Sequence, residues 1–391
     1  MSNGMERRAF LSSALGATVA ALGFAPRVFA QNPLRLLVLI ELRGGNDGLN
    51  TVAPVGDGRY HDLRPRLALG GDAVIALPDG PHLHAALAPW QALWNAGEMA
   101  VLESVGYPQP NLSHFRSIEI WDTASSSTEY LQQGWLTRAA ASEPRFAQHS
   151  ADGVVIGAAD AGPLAGGARA VVLPGLAASD PQRLARQARL AHASSTAARG
   201  ALAHVLRVEN DITRAGAELR PASRVGTEFP RSPLGTALQH ASALASTRRV
   251  PVIRVTLSGF DTHQNQAAPH ARLLQQIGEG LPALRAALLE LGLWQETLVL
   301  TYSEFGRRPQ QNASGGTDHG TASVLFAFGP RVARGRFGAP ADLRRLDAEG
   351  NLAHAVDFRA VYATVLERWW QIDSRRVLGQ RYATVPFLRS A

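Results

Sequence analysis

The sequence predicts an α/β fold built as a three-layer sandwich, with a mostly parallel central sheet covered by helices on both faces. Short, continuous apolar runs alternate along the chain with longer segments of helical periodicity. Continuous apolar runs are typical of strands that are buried on both faces. The chain is also 46% hydrophobic and 18% charged, which is the composition of an ordinary globular protein and not of a disordered one.

The first 30 residues have the pattern of an export signal. The pair Arg7-Arg8 is followed by a weakly apolar run to Phe24 and by small residues up to Ala30. This order is typical of a twin-arginine signal, and the run is too short for a membrane span of about 20 residues. A general secretory signal and a retained anchor are the alternatives. We therefore expect the twin-arginine machinery to export the chain to the periplasm or out of the cell, leaving one domain, 31–391, without a stable membrane span.

Apolar runs predict the strands of the sheet. They lie at 34–42, 99–105, 250–257, 297–302 and 323–328. A polar, Gly-, Asn-, Asp- or Ser-rich turn follows each of the first four runs, and a similar turn precedes the fifth. Because ligands bind at the carboxyl ends of strands in such sheets, we expect these turns to meet in a functional site.

Helical periodicity fills the segments between the strands. The clearest helices are predicted at 84–96, 181–215, 270–291 and 357–371. The stretch from about 160 to 245 is rich in Ala, Arg and Gln with few strand signals, which indicates a helical insertion within the domain. In the last predicted helix, Asp357 is expected to cap the first turn, and Trp369 and Trp370 are expected to pack in the core and at its edge.

The composition excludes several kinds of chemistry. The chain has no cysteine and no lysine, so all 39 basic residues are arginine. P-loops, Schiff-base lysines, thiol nucleophiles, disulfides, Cys-bound zinc and iron–sulfur clusters are therefore excluded. The arginines are spread evenly and not clustered with aromatic residues, which argues against nucleic-acid binding despite a net charge of +7.

Two of the polar turns could serve either chemistry or ordinary turn structure. Asp47 follows a buried strand, where it could bind a hard metal ion or belong to an Asn-Asp-Gly turn. Ser113 precedes an amphipathic run, where it could cap a helix or act as a nucleophile, since a helix N-terminus stabilises anions. The G-x-S-x-G elbow is absent from the sequence, which disfavours an α/β-hydrolase esterase.

The remaining turns combine carboxylates with imidazoles. Two Asp/His clusters, together with Asp47 and a glutamate at a strand end, predict a metal site. The candidate ligands are Asp47, Asp261, His263, Glu304, Asp318 and His319. Such a ligand set suits Zn, Mn, Fe or Ca, depending on how many imidazoles bind.

Taken in order, these motifs resemble those of the exported family known as domain of unknown function 1501. The matching segments are 42–50, 111–115, 259–263, 303–307, 318–320 and 356–362. That family is similar to the alkaline phosphatase and sulfatase superfamily of metal-dependent phospho- and sulfohydrolases. The resemblance implies an alkaline phosphatase-like fold, with Asp47 as the early metal ligand and Ser113 as the nucleophile. It also implies Asp261 with His263 as the middle ligands and His319 as the late one.

The chain departs from the superfamily pattern after Glu304, where Phe305 stands in the position of an expected histidine. No cysteine is available for conversion to formylglycine, so an ordinary sulfatase mechanism is not expected. Without lysine, anion binding is left to Arg43, Arg116 or Arg307, since a guanidinium matches phosphate or sulfate bidentately.

These expectations combine into one function. We expect an exported, metal-dependent hydrolase that acts on a small anionic phosphate or sulfate ester. The candidate catalytic residues are Ser113, His114, Arg43 and Arg307. The alternative, motivated by Phe305, is a catalytically degenerate protein that binds a metal, a glycan or a protein partner without turnover.

Overall fold

A computed structural model of the protein describes residues 33–173 and 225–389. The predicted signal at 1–30, the predicted helix at 181–215 and part of the predicted insertion lie outside these residues. Within the described ranges, no helix combines the length and the apolar character needed to cross a membrane.

The strands are β1 (Leu36–Arg43), β2 (Val74–Ala76), β3 (His82–His84), β4 (Met99–Gly106), β5 (Gly153–Ile156), β6 (Ala170–Leu173), β7 (Val252–Ser258), β8 (Thr297–Tyr302), β9 (Arg307–Gln311), β10 (Thr317–His319), β11 (Ser323–Phe328), β12 (Gly335–Gly338) and β13 (Val356–Asp357). Nine of them form the central sheet, in the order β12-β4-β11-β8-β1-β7-β5-β6, with β13 also paired to β4. The pairs β9–β10 and β2–β3 form two small antiparallel sheets.

The direction of β11 explains the exceptional position of its polar turn. Most pairs in the central sheet are parallel, including β1 with β7 and with β8, whereas β11 is antiparallel to both β4 and β8. The start of β11 therefore lies at the edge where its neighbours end. The turn before β11 thus joins those that follow the parallel strands, and the prediction of a mostly parallel sheet is confirmed.

The helices are α1 (Gly48–Thr51), α2 (Gly58–Leu63), α3 (Gln91–Asn95), α4 (His114–Thr123), α5 (Trp135–Ser142), α6 (Pro233–Ser246), α7 (Ala267–Glu290), α8 (Phe358–Thr364) and α9 (Ser374–Leu378). Asp357 caps α8 by accepting from the Arg359 amide, as predicted, and a π-helical turn, Val365–Trp369, continues that helix. The predicted helix at 84–96 is a 3₁₀ helix, Ala85–Trp90, followed by α3. Pro89 lacks the amide hydrogen that a regular α-helix needs at this point.

Both faces of the sheet are buried. Along β1, Leu37 and Leu39 pack on one face with Trp121 of α4 and with the predicted core residues Trp369 and Trp370. Val38 and Ile40 pack on the other face, where the apolar side of α7 and the inner side of α6 cover them. Each fully buried aliphatic side chain of this kind contributes about 1.5–3 kcal/mol. The predicted three-layer arrangement is therefore confirmed.

Candidate metal site

Loops at the carboxyl edge of the sheet bring four side chains together. His114 is the first residue of α4, Asp261 and His263 lie between β7 and α7, and His319 ends β10. The Asp261 Oδ1 atom lies 3.4 Å from His114 Nε2, 3.0 Å from His263 Nε2 and 3.1 Å from His319 Nε2. The Nε2 atoms of His263 and His319 are 3.0 Å apart. One carboxylate oxygen thus faces three imidazole nitrogens.

The other ring nitrogen of each imidazole is held by an acceptor. The Nδ1 contacts are His114 to Glu304 Oε1 at 2.8 Å, His263 to Asp318 Oδ1 at 3.3 Å, and His319 to the Leu112 carbonyl at 2.8 Å. Such partners fix the ring orientation and the tautomer, because an Nδ1 that donates leaves the Nε2 lone pair free. All three free positions then point at Asp261.

Glu304 is positioned by the glycine turn that follows β1. Its buried carboxylate accepts from the Gly44 amide at 2.9 Å and the Gly45 amide at 3.3 Å, and from Ser303 Oγ at 3.2 Å. Both glycines have positive φ, and a Cβ on Gly45 would lie 2.5 Å from the Phe305 ring. Only glycine therefore allows these amides to approach the carboxylate.

Asp261 is anchored by Arg307, whose Nη2 lies 2.6 Å from Asp261 Oδ1. Partial burial acts to raise the pKa of Asp261, but the hydrogen bond and the charge of Arg307 hold that pKa well below its usual range. The fully buried Arg307 guanidinium also donates to the carbonyls of Gly44, Gly45, Phe260 and Thr317. Arg307, predicted to bind an anion, is thus engaged in holding Asp261 and the surrounding loops.

The pKa values of His114 and His319 are shifted in opposite directions. The hydrogen bond to Glu304 raises the pKa of His114, whereas burial lowers the pKa of His319. His319 therefore tends to be neutral, while His114 takes up a proton more readily in the absence of a metal.

Asp47 is not among these side chains, although the sequence predicts it as a metal ligand. Its buried carboxylate accepts from Arg64 Nη1 at 2.6 Å, from Gln266 Nε2, and from the amides of Leu49 and Asn50. These four donors occupy it as an internal ion pair and as the cap of α1. Burial alone would raise the pKa of Asp47, but the charge of Arg64 holds it below the usual value.

The other predicted site residues lie around the four-residue cluster. Glu304 and Asp318, both expected as ligands, contact the Nδ1 side of His114 and His263 instead. Arg43 points to other partners, with ion pairs to Glu41 at 3.1 Å and to Asp160 at 2.9 Å.

Ser113 occupies the N-cap position of α4 and is exposed, but its side chain makes no capping hydrogen bond. Phe305 is buried, with its ring centroid 4.8 Å from that of His114 and 4.6 Å from that of His319. The imidazole that faces Glu304 thus comes from α4 and not from the position after Glu304. From the sequence, His114 was expected to be a catalytic residue beside the candidate nucleophile Ser113. The amphipathic run that begins next to it was the signal that it lies at the start of a helix.

The spacing of the donor atoms of His114, Asp261 and His319 suits a metal ion, and His263 Nε2 lies beside two of them. A tetrahedral ion with bonds of about 2.0–2.1 Å separates its ligand atoms by about 3.3–3.4 Å. The contacts to Asp261 Oδ1 span 3.0–3.4 Å, and the ligand atoms of His114, Asp261 and His319 all lie within 4.8 Å of one another. The side chains of Asp261 and His263 are 47% and 43% exposed, so the cluster is open to solvent.

A family model described as "Protein of unknown function (DUF1501)" matches residues 96–380. No curated protein matches the chain.

Among solved structures, the chain is similar to a phosphonate monoester hydrolase from Silicibacter pomeroyi. The identity is 11% and the TM-score is 0.39, and the match covers 79% of this chain and 70% of that chain. The PsFucS1 sulfatase from Pseudoalteromonas sp. has 12% identity, with 92% and 71% covered and a TM-score of 0.35. For the lipoteichoic acid synthase LtaP from Listeria monocytogenes the identity is 7% and the TM-score 0.35; 75% of this chain is covered, and it spans 65% of that chain.

Proposed function

The chain belongs to the DUF1501 family of proteins of unknown function, and we propose that it is a metal-dependent hydrolase of phosphate or sulfate esters. His114, Asp261, His263 and His319 would hold the metal. The observation that carries the proposal is the convergence of three imidazoles, each anchored through Nδ1, on one carboxylate oxygen.

The protonation chemistry of the cluster supports a bound cation. An imidazole that donates from Nδ1 directs an Nε2 lone pair at the Asp261 oxygen, and lone pairs facing one another at 3.0–3.4 Å repel. A cation at the centre converts this repulsion into coordination. The anchoring of metal-bound histidines by carboxylates and carbonyls is the usual arrangement around such ions.

The ligand set narrows the choice of metal. Three imidazole nitrogens and one carboxylate favour Zn, Mn or Fe. Calcium takes six to eight oxygen ligands, which the residues of this cluster do not supply. We therefore propose one transition-metal ion in the site.

Ser113 is the proposed nucleophile. It lies next to His114, and its exposed hydroxyl makes no capping bond. A bound metal would polarise the ester and favour the serine alkoxide. The serine oxygen then forms a bond to phosphorus or sulfur as the bond to the leaving alcohol breaks with its electron pair. The serine proton passes to solvent, the alcohol takes a proton from solvent, and water later releases phosphate or sulfate from the serine.

We also propose that the chain reaches the periplasm or the cell exterior by twin-arginine export, on the basis of Arg7-Arg8 and the segment that follows. That route carries folded proteins, so the metal would be bound before export. Replacing Arg7-Arg8 with two lysines should retain the chain in the cytoplasm, which cell fractionation measures.

Metal analysis and turnover test the proposal together. The purified wild-type chain should contain about one Zn, Mn or Fe and should hydrolyse p-nitrophenyl phosphate or p-nitrophenyl sulfate. His114→Ala should lose the metal, whereas His82→Ala, an exposed histidine of β3, should keep it. Ser113→Ala should keep the metal and lose turnover. A metal-free chain that hydrolyses neither ester would contradict the proposal.

Phe305 favours a second candidate function, binding without turnover. Its buried ring fills the space next to His114 and His319, where a further ligand was expected. In that case the wild-type chain would contain the metal but would hydrolyse neither ester. Ser113→Ala would then change neither metal content nor turnover.

A further inference from the structure

Behind the candidate metal site, Gln266 joins two of the loops that carry ligands. It is fully buried and immediately precedes α7, three positions after His263. Its Oε1 accepts from Thr317 Oγ1 at 2.6 Å, and Thr317 precedes Asp318 and His319 in the chain. One side-chain hydrogen bond thus connects the His263 loop to the His319 strand.

The other end of the Gln266 amide is fixed by the Asp47–Arg64 ion pair. Gln266 Nε2 donates to Asp47 Oδ2, the oxygen that also accepts from Arg64 Nη1 at 2.6 Å. Arg64 in turn donates from Nε to the Pro309 carbonyl at 2.7 Å and from Nη2 to the Arg308 carbonyl at 2.9 Å. The amide therefore has a fixed orientation, because its donor faces a carboxylate and its acceptor faces a hydroxyl.

The backbone around Gln266 reinforces this connection. The backbone amide of Gln266 donates to the Gly315 carbonyl at 2.9 Å, and the backbone amide of Thr317 donates to the Thr262 carbonyl at 3.3 Å. The Thr317 carbonyl accepts from Arg307, the residue that anchors Asp261. The Gln266–Thr317 hydrogen bond thus joins two segments whose separation must stay fixed if the ligands are to meet.

We propose that Gln266 is a positioning residue of the metal site, which sets the spacing of His263 and His319 through its hydrogen bonds to Asp47 and Thr317. This inference rests on the proposed metal site. Metal ligands tolerate small displacements poorly, and the loss of partners behind the ligands typically weakens metal binding about 10- to 100-fold. A residue that only fills space would change folding stability and leave metal affinity unaltered.

Thr317 offers a matched pair of variants for the test. Thr317→Val removes the hydroxyl at nearly constant shape, whereas Thr317→Ser keeps the hydroxyl and loses a methyl group. Gln266→Met removes the amide at similar length. The Kd of each metal-free, full-length variant for Zn²⁺ and Mn²⁺ is measured by competition with a chelator, and thermal unfolding gives the folded fraction used in the titration.

We expect Thr317→Val and Gln266→Met each to raise the Kd about tenfold and Thr317→Ser less than about twofold. Since both variants break the Gln266–Thr317 hydrogen bond, the double variant should bind about as well as Gln266→Met alone. Equal affinities for Thr317→Val and Thr317→Ser would overturn the inference and leave the proposed function standing. A wild-type chain that binds neither metal would overturn the proposed function, and the inference with it. If Gln266→Met does not fold, the Thr317 pair decides.

Discussion

Asp47 and Asp261 follow neighbouring strands at the same edge of the sheet, and each has an oxygen 2.6 Å from a buried arginine. Their other surroundings differ. Asp47 is 1% exposed and accepts hydrogen bonds from four donors, whereas the side chain of Asp261 is 47% exposed and meets imidazole nitrogens. A carboxylate whose lone pairs are all satisfied stabilises the fold. One that faces further lone pairs is suited to bind a cation.

The largest expected effect is the loss of stability in Asp47→Ala. Removing this carboxylate leaves the Arg64 guanidinium buried without its counter-charge, which typically costs about 3–5 kcal/mol. Urea unfolding of the metal-free chain measures it. Asp261→Ala is the comparison and should cost much less, because the Asp261 side chain is 47% exposed and solvent screens its ion pair with Arg307. If the two variants lost the same free energy of unfolding, Asp47 would not be the structural aspartate of the pair.

For metal affinity we expect the opposite order, with Asp261 mattering more than Asp47. Asp261→Asn removes a proposed ligand and should raise the Kd for Zn²⁺ or Mn²⁺ about 100-fold or more, while Asp47→Asn, where it folds, should raise it only about tenfold. Chelator competition measures both values. If Asp47→Asn weakened metal binding more than Asp261→Asn, Asp47 would be the better candidate for the ligand that the sequence predicts.

This pair of residues also shows what the sequence could and could not predict. An aspartate after a buried strand is the same signal at 47 and at 261, and the partners that separate them lie far along the chain, at Arg64 and Arg307. His263 and His319 stood out because each adjoins a carboxylate in a polar turn. His114 was not assigned as a ligand, because its carboxylate partner, Glu304, is distant in sequence.

The fold was more predictable than the site. Long apolar runs located β1, β4, β7, β8 and β11 to within two residues, since burial on both faces leaves a continuous apolar pattern. The direction of β11 leaves no such pattern, and the polar turn before it was the only indication. In the central sheet β5, β6, β12 and β13 were not predicted, because strands of two to four residues are too short to show a periodicity.

Asp122 extends the comparison to a buried aspartate whose Oδ1 has no hydrogen-bond partner among the residues that the structure describes. Burial raises the pKa of Asp122 to about 8. The unfolded chain loses this proton near pH 4, so the folded chain binds more protons between about pH 4 and 8, and Asp122 lowers the free energy of unfolding as the pH rises through that window. Asp122→Asn should match the wild type at pH 4 and be the more stable of the two at pH 8.

Urea unfolding of the metal-free chain at both pH values tests the effect of Asp122. The exposed Asp72→Asn provides the control, since it removes one negative charge without changing a buried group. A gain in stability that is the same at pH 4 and pH 8 would show that Asp122 does not titrate in this window.

The smallest expected effect concerns His114, whose pKa is raised by its hydrogen bond to Glu304. A raised histidine pKa stabilises the folded chain below the unfolded pKa, and this contribution is lost as the pH rises through the folded pKa. In metal-free chain, Glu304→Gln should therefore lose more stability at pH 5 than at pH 8, and NMR should show a lower His114 pKa. In the presence of Zn²⁺, protons compete with the metal for His114 Nε2. Glu304→Gln should therefore begin to bind Zn²⁺ at a lower pH than the wild type. At a pH where His114 is deprotonated in both chains, its Kd for Zn²⁺ should be higher. If the His114 pKa were unchanged in Glu304→Gln, Glu304 would not orient this imidazole, and the most buried of the three Nδ1 anchors would lose its assigned role.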